Sequence, residues 1–450
     1  MRSGTDVRSG LRGNYGPPAD DPLAARLLPG LPGDVRWGLD RMERILAALG
    51  DPHRDYPVLH VAGTNGKGSV AKVWAEVLTA AGRRTGLYTS PHLVSFRERI
   101  LVDGRPLPDG LLAEWARDLR PLLVREAPSF FEASTALALL AFSRAGVETA
   151  VVEVGLGGRL DATNVVRPAV AAVTSLGLDH TEMLGGTIEE VAAEKAGIFK
   201  PGLSVFTTVG DRRALGVLEA EAAEREARLR RVRVPAGRVR LGGVEFELAT
   251  RRWGTLALEC PMTGRHQLEN VALAVSALEA LPPRIPLSAG ALRRGVGQAR
   301  LAGRFQVERR GGRTWILDVA HNVDGARALR ETLSEVAAPR PRAAVVAILA
   351  DKPWEAIIGE LAPAADHFIF TVPRSAPPAR RWVPEDALAL FPPGSARVCP
   401  DPGAALAEAR SAVPPAGSVI VTGSMYTVGE ALAWLGRVPR EALPTPFESG

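Results

Sequence analysis

The chain has 450 residues, of which 46% are hydrophobic and 23% charged, and it carries a formal net charge of +5. These proportions are typical of a globular protein and exclude a collagen-like or wholly disordered chain. No run of about 18 unbroken apolar residues occurs, so the sequence predicts no membrane-spanning helix. Two cysteines, Cys260 and Cys399, exclude a disulfide framework and favour a reducing cytosol.

In chain order, residues 1–21 are rich in Gly, Pro, Arg and Asp and predict a disordered lead-in. Apolar strand-like runs then alternate with helical patterns, which predicts an α/β fold with parallel sheets and helices on both faces. The predicted strands are residues 58–62, 84–88, 149–154, 170–175, 204–208, 314–319, 343–349, 367–372 and 418–422.

The stretch between the two strand series predicts a domain boundary. Residues 238–259 contain short alternating apolar runs and predict a small antiparallel hairpin, and residues 266–281 predict a helix. The chain then becomes rich in Gly and Arg before a new β/α series starts. We therefore predict two folded domains, residues 22–298 and 299–450.

The most informative motif is the glycine-rich stretch GTNGKGS, from Gly63 to Ser69, between a predicted strand and a predicted helix. Backbone N–H groups of such a loop converge on an anion, and the helix N-terminus adds partial positive charge. Lys67 would reach terminal phosphates, and the Ser69 hydroxyl would bind phosphate or magnesium. Val61 stands where the general Walker pattern requires glycine, and Gly68 separates the lysine from the serine. The motif predicts a nucleotide site of variant form.

Polar residues near predicted strand ends are the other candidates for chemistry. Glu153 closes an apolar strand, where a carboxylate indicates either an edge-strand salt bridge or bound magnesium. Taken singly, His180 after a strand is typical of a satisfied hydrogen-bonding residue, and Lys195 late in a helix is typical of a solvated helix end that matches the helix dipole. Asp318 and His321 end a strand of the second series and suit a general-base pair or contacts to substrate and nucleotide.

Ten ordered segments together resemble the folylpolyglutamate synthases and the related bacterial bifunctional dihydrofolate synthases of the Mur ligase superfamily. The segments are residues 37–42 (WGLDRM), 63–69 (GTNGKGS), 88–93 (YTSPHL), 131–135 (FEAST), 153–164 (EVGLGGRLDATN), 179–186, 194–202 (EKAGIFKPG), 303–306 (GRFQ), 318–322 (DVAHN) and 422–424 (TGS). GTNGKGS is the form of the phosphate loop in this family. The Ser-Pro-His-Leu loop and the Gly-Gly-Arg-Leu-Asp-Ala-Thr-Asn run distinguish the folate branch from the cell-wall branch.

The resemblance implies an N-terminal P-loop ATPase domain with a parallel sheet, a C-terminal Rossmann-like α/β domain and an active site between them. It implies an ATP-dependent ligase that adds L-glutamate to folates through an acyl phosphate. The resemblance leaves open whether dihydropteroate is accepted as well as folates, and it favours an enzyme with both activities. The implied cofactors are ATP, two Mg²⁺ ions and a monovalent cation. The implied protein is a cytoplasmic monomer with small-molecule substrates and no nucleic-acid or membrane partner.

The resemblance also implies site residues, position by position. ATP contacts match Asn65, Gly66, Lys67, Gly68, Ser69, Asn270, Arg304 and Asp318, and magnesium ligands match Ser90, Glu153, His180 and Lys195. The pterin or folate pocket matches Phe130, Phe131, Glu132, Leu160, Asp161 and Ala162, and the glutamate site matches His321 and Ser424.

Three of these residues are expected to act in catalysis: Lys67, Lys195 and His321. Lys195 matches a lysine that is carbamylated in this superfamily. Carbamylation converts an ammonium into a carboxylate-like metal ligand and needs a neutral amine, which burial favours. His321 or Asp318 would assist loss of a proton from the attacking amine.

Two other function classes are alternatives. A cell-wall-type ligase acting on a UDP-muramyl peptide would need a UDP-binding domain of about 100 residues before the P-loop. This sequence has only 62 residues before Gly63. A P-loop switch or nucleic-acid-associated ATPase is supported only by the basic pI near 9.5. A guanine-reading Asn-Lys-x-Asp motif, which a switch GTPase would need, is absent from the sequence.

Overall fold

The computed structural model describes residues 21–32 and 36–436. The lead-in predicted over residues 1–21 therefore lies outside the described residues except for Asp21, and the tail 437–450 also lies outside them. Asp21 caps the first helix, because its carboxylate accepts hydrogen bonds from the backbone nitrogens of Leu23 and Ala24 at 2.9 and 3.0 Å.

Within the described residues, the first part of the chain forms an eight-stranded sheet in the order β4-β3-β2-β5-β1-β6-β7-β8. Its strands are β1 (Val58–Ala62), β2 (Thr85–Tyr88), β3 (Ile100–Val102), β4 (Arg105–Pro106), β5 (Thr149–Glu153), β6 (Pro168–Val173), β7 (Ser204–Thr207) and β8 (Arg228–Arg231). The central strands are parallel, whereas β3 and β4 are antiparallel at one edge. All residues of β1 and β5 are buried, which is typical of strands covered on both faces.

Helices cover both faces of this sheet, as the alternating sequence pattern predicts. They are α1 (Pro22–Leu27), α2 (Asp40–Ala48), α3 (Lys67–Ala80), α4 (Asp109–Glu126), α5 (Phe130–Arg144), α6 (Thr181–Leu184), α7 (Ile188–Ala196), α8 (Arg212–Glu224), α9 (Arg265–Leu278) and α10 (Ala289–Gln298). One face packs on α3, α9 and α10, and the other packs on α2, α4 and α5 at one end and on α7 and α8 at the other.

The hairpin predicted over residues 238–259 is a three-stranded antiparallel sheet, so the prediction is wrong in strand number. The strands are β9 (Gly237–Arg240), β10 (Gly243–Thr250) and β11 (Gly254–Cys260), in the order β11-β10-β9. The run in β9 is short and carries two arginines, so it shows too few apolar residues to be recognised as a strand.

The last part of the described chain forms a second sheet in the order β12-β13-β17-β14-β15-β16. Its strands are β12 (Gln306–Arg310), β13 (Arg313–Leu317), β14 (Arg342–Val346), β15 (His367–Phe370), β16 (Ala396–Val398) and β17 (Ser418–Thr422). Only β12 pairs antiparallel. The helices are α11 (Val323–Glu335), α12 (Trp354–Leu361), α13 (Pro402–Ala412) and α14 (Met425–Trp434). The α/β class and the Rossmann-like second part are confirmed.

The two sheet-containing parts of the chain pack against each other along the loop that follows β2. Leu93 and Val94, which follow β2, pack against the second core beside α14. Gly429 of α14 lies so close to this loop that an added Cβ would be 2.2 Å from the carbonyl oxygen of Leu93. Among the described residues, no helix is both long and apolar enough to span a membrane.

Candidate active site

A cavity of about 430 Å³ lies between the two parts of the molecule. It is at the carboxyl ends of the parallel strands β1, β5 and β6, which is where ligands bind in open α/β sheets. Its walls include the phosphate loop, the loops after β5 and β6, and residues that follow β13 and β17. The architecture therefore brings together the strand-end residues that the sequence indicates for chemistry.

The phosphate loop has the predicted strand–loop–helix form, with β1 ending at Ala62 and α3 starting at Lys67. Gly66 is the N-cap with φ of 90°, and a Cβ there would lie 2.3 Å from Oδ1 of Asn270, so only glycine fits. The loop is also tied to the strand end after β6, because Thr64 N donates to Ser175 O at 2.8 Å. The first N–H groups of α3 lack intrahelical partners and are available to an anion.

Lys67 lies within this loop and lines the cavity. Its Nζ donates to the carbonyl oxygens of Gly63 and Thr64 at 3.0 and 3.1 Å. Burial lowers the pKa of Lys67, while the charges of Glu153 and Asp179 oppose that shift. Gly68, Ser69 and the side chain of Asn65 line the same cavity. These contacts place a cation and free backbone donors where a nucleotide's phosphates would bind.

Glu153 ends β5, an interior strand, so the edge-strand salt bridge is excluded. Its Oε2 accepts a hydrogen bond from Ser90 N at 3.3 Å, and a Cβ on Gly68 would lie 3.7 Å from that oxygen. Burial raises the pKa of Glu153, and the charges of Lys67 and Arg304 oppose the shift. A buried carboxylate beside a phosphate loop fits Mg²⁺, which commonly binds one or two carboxylates together with substrate phosphates. In the described ranges, no three His, Cys, Asp or Glu side chains form a metal-holding group.

His180 and Lys195 also line the cavity. His180 has φ of 52° and is the N-cap residue of α6, and burial together with the charge of Lys352 lowers its pKa to about 3. Lys195 is buried in α7 rather than solvated, and burial with the charge of Lys67 lowers its pKa to about 7. Its amine is therefore easier to deprotonate than that of an ordinary lysine.

Residues after β5 and at the start of α5 form the wall that the resemblance assigns to pterin or folate. Phe131, Leu160 and Ala162 line the cavity. Asp161 lines it too, but its carboxylate already accepts hydrogen bonds from Thr163 N at 3.0 Å and Leu156 N at 2.8 Å. Burial raises the pKa of Asp161, and these bonds oppose the shift.

Glu132 lines the cavity with both carboxylate oxygens engaged. Oε1 accepts from Arg41 Nε at 2.9 Å, and Oε2 accepts from Ser129 N at 2.7 Å in a capping box. Phe130 does not line the cavity, contrary to the sequence-based assignment. Its ring packs on Phe96 at 6.0 Å, because adjacent helix residues point in directions about 100° apart.

The second part of the chain contributes Asn322, His321, Arg304, Asp318 and Ser424. Asp318 accepts hydrogen bonds from Phe305 N and Ala320 N, both at 2.8 Å. Burial raises the pKa of Asp318 and lowers that of Arg304, and the two charges oppose these shifts. Ser424 caps α14 by accepting from Thr427 N at 3.2 Å.

Asn270 belongs to the first part of the chain. It lies on α9, donates to Gln267 Oε1 at 3.1 Å and lines the cavity.

A polar network centred on Asp179 joins the two parts and was missed from the sequence. Its carboxylate accepts from Lys352 Nζ at 2.5 Å and from Asn322 Nδ2 at 3.1 Å, and it lies 3.5 Å from His321 Nε2. Asn322 and Asn65 also exchange side-chain hydrogen bonds at 3.2 and 3.3 Å. Although burial opposes it, the hydrogen bond with His321 and the neighbouring positive charges lower the pKa of Asp179 far below its usual value.

Lys352 and Arg99 are further cavity residues that sequence reasoning missed. Lys352 follows β14, and the rule that polar residues after parallel strands reach the ligand edge could have identified it. Arg99 precedes β3, an antiparallel strand next to the edge strand β4, so no comparable signal points to it.

Comparisons with known proteins agree with this geometry. Residues 61–278 match the family model described as Mur ligase middle domain, and residues 303–425 match that of the Mur ligase glutamate ligase domain. The chain is 34% identical over 474 residues to the dihydrofolate synthase/folylpolyglutamate synthase of Mycobacterium tuberculosis, covering 94% of this chain and 96% of that one.

Two solved structures are similar over most of their length. The M. tuberculosis folylpolyglutamate synthase complexed with ADP and AMPPCP has 35% identity and a TM-score of 0.82, over 89% of this chain and 96% of that one. Escherichia coli FolC in complex with DHPP and ADP has 32% identity and a TM-score of 0.83, over 93% and 99%.

Two α/β parts that enclose a phosphate loop and a shared cavity define an ATP-dependent ligase of the Mur ligase type. Within that class, the chain belongs to the family of folylpolyglutamate and dihydrofolate synthases, because its similarity to them extends over nearly its whole length. The cell-wall ligase, the P-loop switch and the nucleic-acid-associated ATPase are rejected as interpretations.

Proposed function

We propose that this enzyme joins L-glutamate to the carboxylate of folates and of dihydropteroate, with cleavage of ATP to ADP and phosphate. The observation that supports it most strongly is the cavity in which the phosphate loop, Glu153, the Phe131 wall and His321 meet. The M. tuberculosis relative that matches along 94% of this chain has both synthase activities in its name, which supports the bifunctional assignment.

In the proposed first step, an oxygen of the acceptor carboxylate attacks the γ-phosphorus of ATP, giving an acyl phosphate and ADP. Lys67 would leave its two loop carbonyl partners and donate to the β- and γ-phosphates, as lysine does in other phosphate loops. The N-terminus of α3 would bind the phosphates through Gly68 and Ser69. Asn270, which lies beside Gly66 of the phosphate loop, and Arg304 and Asp318 of the second part of the chain would also bind the nucleotide.

Glu153, Ser90 and His180 would hold Mg²⁺ together with the nucleotide's phosphates. When bound, the metal supplies positive charge that offsets the charge developing on the phosphoryl oxygens. A second Mg²⁺ ion and a monovalent cation are part of the proposal by resemblance, and titration of activity with Mg²⁺ and K⁺ salts tests them.

We assign carbamylation to Lys195. Its burial and its pKa of about 7 support this, because the neutral amine reacts with CO₂ and loses a proton to give a carbamate. Uptake of label from ¹³C-bicarbonate by the purified protein tests the assignment. The matched control is Lys195→Met, which should take up none at this position, whereas Lys72→Met should label like the wild type because Lys72 is paired with Glu76 at 2.6 Å.

In the proposed second step, the amine of L-glutamate attacks the acyl carbon, the C–O bond to phosphate breaks, and phosphate leaves. His321 Nδ1 bonds the carbonyl oxygen of Val319 at 2.9 Å, so the proton of the neutral ring would be on Nδ1 and Nε2 would take the amine proton. Asp179, 3.5 Å from Nε2, would then stabilise the charged ring. Asp318 is less suited to this role, since two backbone N–H groups already occupy its carboxylate. Ser424 would contact the glutamate. Closure of the two parts would exclude water from the acyl phosphate.

We further propose domains of residues 22–298 and 299–450. The family-model matches, which end at residue 278 and begin again at residue 303, support that division. We also propose that the protein is a cytoplasmic monomer without nucleic-acid partners. Light scattering at several protein concentrations tests the monomer.

The deciding experiment measures ADP release by purified protein with Mg-ATP and L-glutamate, using dihydropteroate or tetrahydrofolate as acceptor. Turnover with both supports the bifunctional enzyme, and turnover with tetrahydrofolate alone would restrict it to polyglutamate formation. Turnover with neither would overturn the substrate assignment. Lys67→Ala should lower kcat about 100-fold or more, the effect of removing one preorganised charge donor. Lys72→Ala, one turn along the same helix, should retain activity.

A further inference from the structure

Arg99 is a buried cation that makes no direct ion pair within the described part of the chain, although the charges of Asp21, Glu98 and Glu153 act on it from farther away. It is 3% exposed, and among the described residues no carboxylate oxygen lies within the 4.0 Å of an ion pair with it. Its side chain contacts neutral groups: His92, the Phe130 ring at 5.3 Å and the Tyr88 hydroxyl. A buried charge is costly unless an opposite charge balances it, so this arrangement indicates an anionic ligand.

A chain of buried groups fixes the position of Arg99. Its Nε donates to Nδ1 of His92 at 2.7 Å, and Nε2 of His92 lies 3.3 Å from the carboxylate of Asp21. Because Nδ1 of His92 accepts this bond, the ring proton is on Nε2, which lies near Asp21 without a hydrogen bond to it. The stack on Phe130 constrains the guanidinium plane. The arginine is thus preorganised before any ligand arrives.

Arg99 lines the cavity between its aromatic wall and its phosphate end. On one side is α5, with Phe130 in contact and Phe131 facing the cavity. On the other side, the backbone carbonyl of Arg99 accepts from Thr89 N at 3.1 Å, next to the Ser90 nitrogen that bonds Glu153. Since His92 engages Nε and the Tyr88 hydroxyl also bonds the guanidinium, the remaining terminal N–H groups are the donors left for a ligand.

We propose that Arg99 binds the reacting carboxylate of the acceptor and aligns it for attack on ATP. This inference rests on the proposed function, because it identifies the acceptor as the anion. An acceptor that stacks against the Phe131 wall would direct its carboxylate toward the phosphate loop, and Arg99 lines the same cavity as both. The planar fork of arginine matches a carboxylate in two parallel hydrogen bonds.

The test compares binding of dihydropteroate with binding of its primary carboxamide, both measured by calorimetry in the presence of Mg-ADP. The wild type should bind the carboxylate about 10- to 100-fold more tightly, as expected for charge-assisted hydrogen bonds. Arg99→Met should bind dihydropteroate and its carboxamide equally, because only the affinity for the carboxylate should fall. Arg99→Lys, which retains the charge without the fork, should keep part of the preference. Arg97→Met is the matched control. Arg97 lies with Arg99 in the short 3-10 helix Phe96–Arg99, pairs with Asp109 and does not line the cavity.

Equal affinity of the wild type for the two ligands would overturn the proposal without any variant. An Arg99→Met protein that loses both ligands equally, with unchanged ADP affinity, would make Arg99 a purely structural residue and also overturn it. If the wild type binds neither ligand, the proposed function itself fails and this inference fails with it.

Discussion

His60 is a polar residue in the centre of the strand that leads to the phosphate loop. It is fully buried, and its Nε2 lies 2.9 Å from the hydroxyl of Thr163, which in turn donates to Asp161 at 2.5 Å. Neutral His60 therefore supports, through Thr163, the position of a carboxylate at the cavity wall. Nδ1 of His60 has no hydrogen-bond partner among the described residues, which is consistent with a ring that stays uncharged.

This burial predicts acid sensitivity. Burial lowers the pKa of His60 from 6.5 to about 3, so between these values the unfolded chain binds a proton that the folded protein does not. Stability is therefore lost as the pH falls from 6.5 toward 3, by about 1.4 kcal/mol per pH unit for this group. His60→Gln retains a donor for Thr163 but cannot titrate, so it should reduce the pH dependence of the free energy of unfolding by about that slope.

Urea unfolding at pH 6.5, 5.5 and 4.5 measures this slope. His367→Gln is the control, because His367 begins a strand but is exposed. If His60→Gln and the wild type lose stability in parallel as the pH falls, the assigned origin of the acid sensitivity is wrong.

Among the secondary-structure elements, the packing of α10 on α3 supports the phosphate loop. Gly295 of α10 approaches α3 so closely that a Cβ there would lie 2.4 Å from Cα and 2.5 Å from N of Val77. The clash would be with main chain, which cannot rotate away as a flexible side chain can. Because α3 carries Lys67 and Ser69 at its first turn, the position of this helix fixes the position of the loop.

Gly295→Ala should destabilise the protein by about 1–3 kcal/mol, the usual cost of overpacking, and weaken ADP binding as α3 shifts. Gly297→Ala on the same helix is the matched control, since the nearest atom to its Cβ would be 3.8 Å away. That substitution should be neutral or stabilising by up to about 1 kcal/mol, because alanine favours a helix over glycine. Thermal unfolding and ADP titration compare the two, and equal behaviour would show that the helices do not pack as closely as described.

Across the molecule as a whole, the two parts are joined by a buried ion pair. Lys352 is 5% exposed and Asp179 9%, whereas Arg265, which pairs with Glu335 across the same boundary, is 64% exposed. Removing one partner of a buried pair leaves an uncompensated charge, which costs far more than loss of a surface pair. The closed arrangement of the two parts is therefore expected to depend on Lys352.

Lys352→Met should weaken that arrangement by about 3–5 kcal/mol. The expected signs are a larger radius of gyration in small-angle X-ray scattering and a calorimetric trace that separates into two transitions. Arg265→Met, which breaks the exposed pair, should change neither. A Lys352→Met protein with the wild-type radius and a single unshifted transition would contradict the role given to this pair.

The order of amino acids alone is enough to predict the α/β class, the central strands and three candidate site residues: Lys67 in the phosphate loop, Glu153 at a strand end and His321 just after one. These are visible because long apolar runs specify buried parallel strands, and a polar residue at the end of such a run departs from the pattern. The strands at or next to the sheet edges, β3, β4, β8, β12 and β16, are not predicted, since each is very short or only partly buried and the apolar signal is correspondingly weak.

Which side chains share a site depends instead on tertiary packing. Lys352 and Asp179 are 173 residues apart, and docking of the two parts brings them to 2.5 Å. Phe130 and Phe131 are adjacent and equally aromatic, yet only Phe131 reaches the cavity, because the helix turns the two rings toward different surroundings. Local sequence encodes the strands, helices and loop that carry the chemistry, but contact between residues remote in sequence depends on how those elements pack.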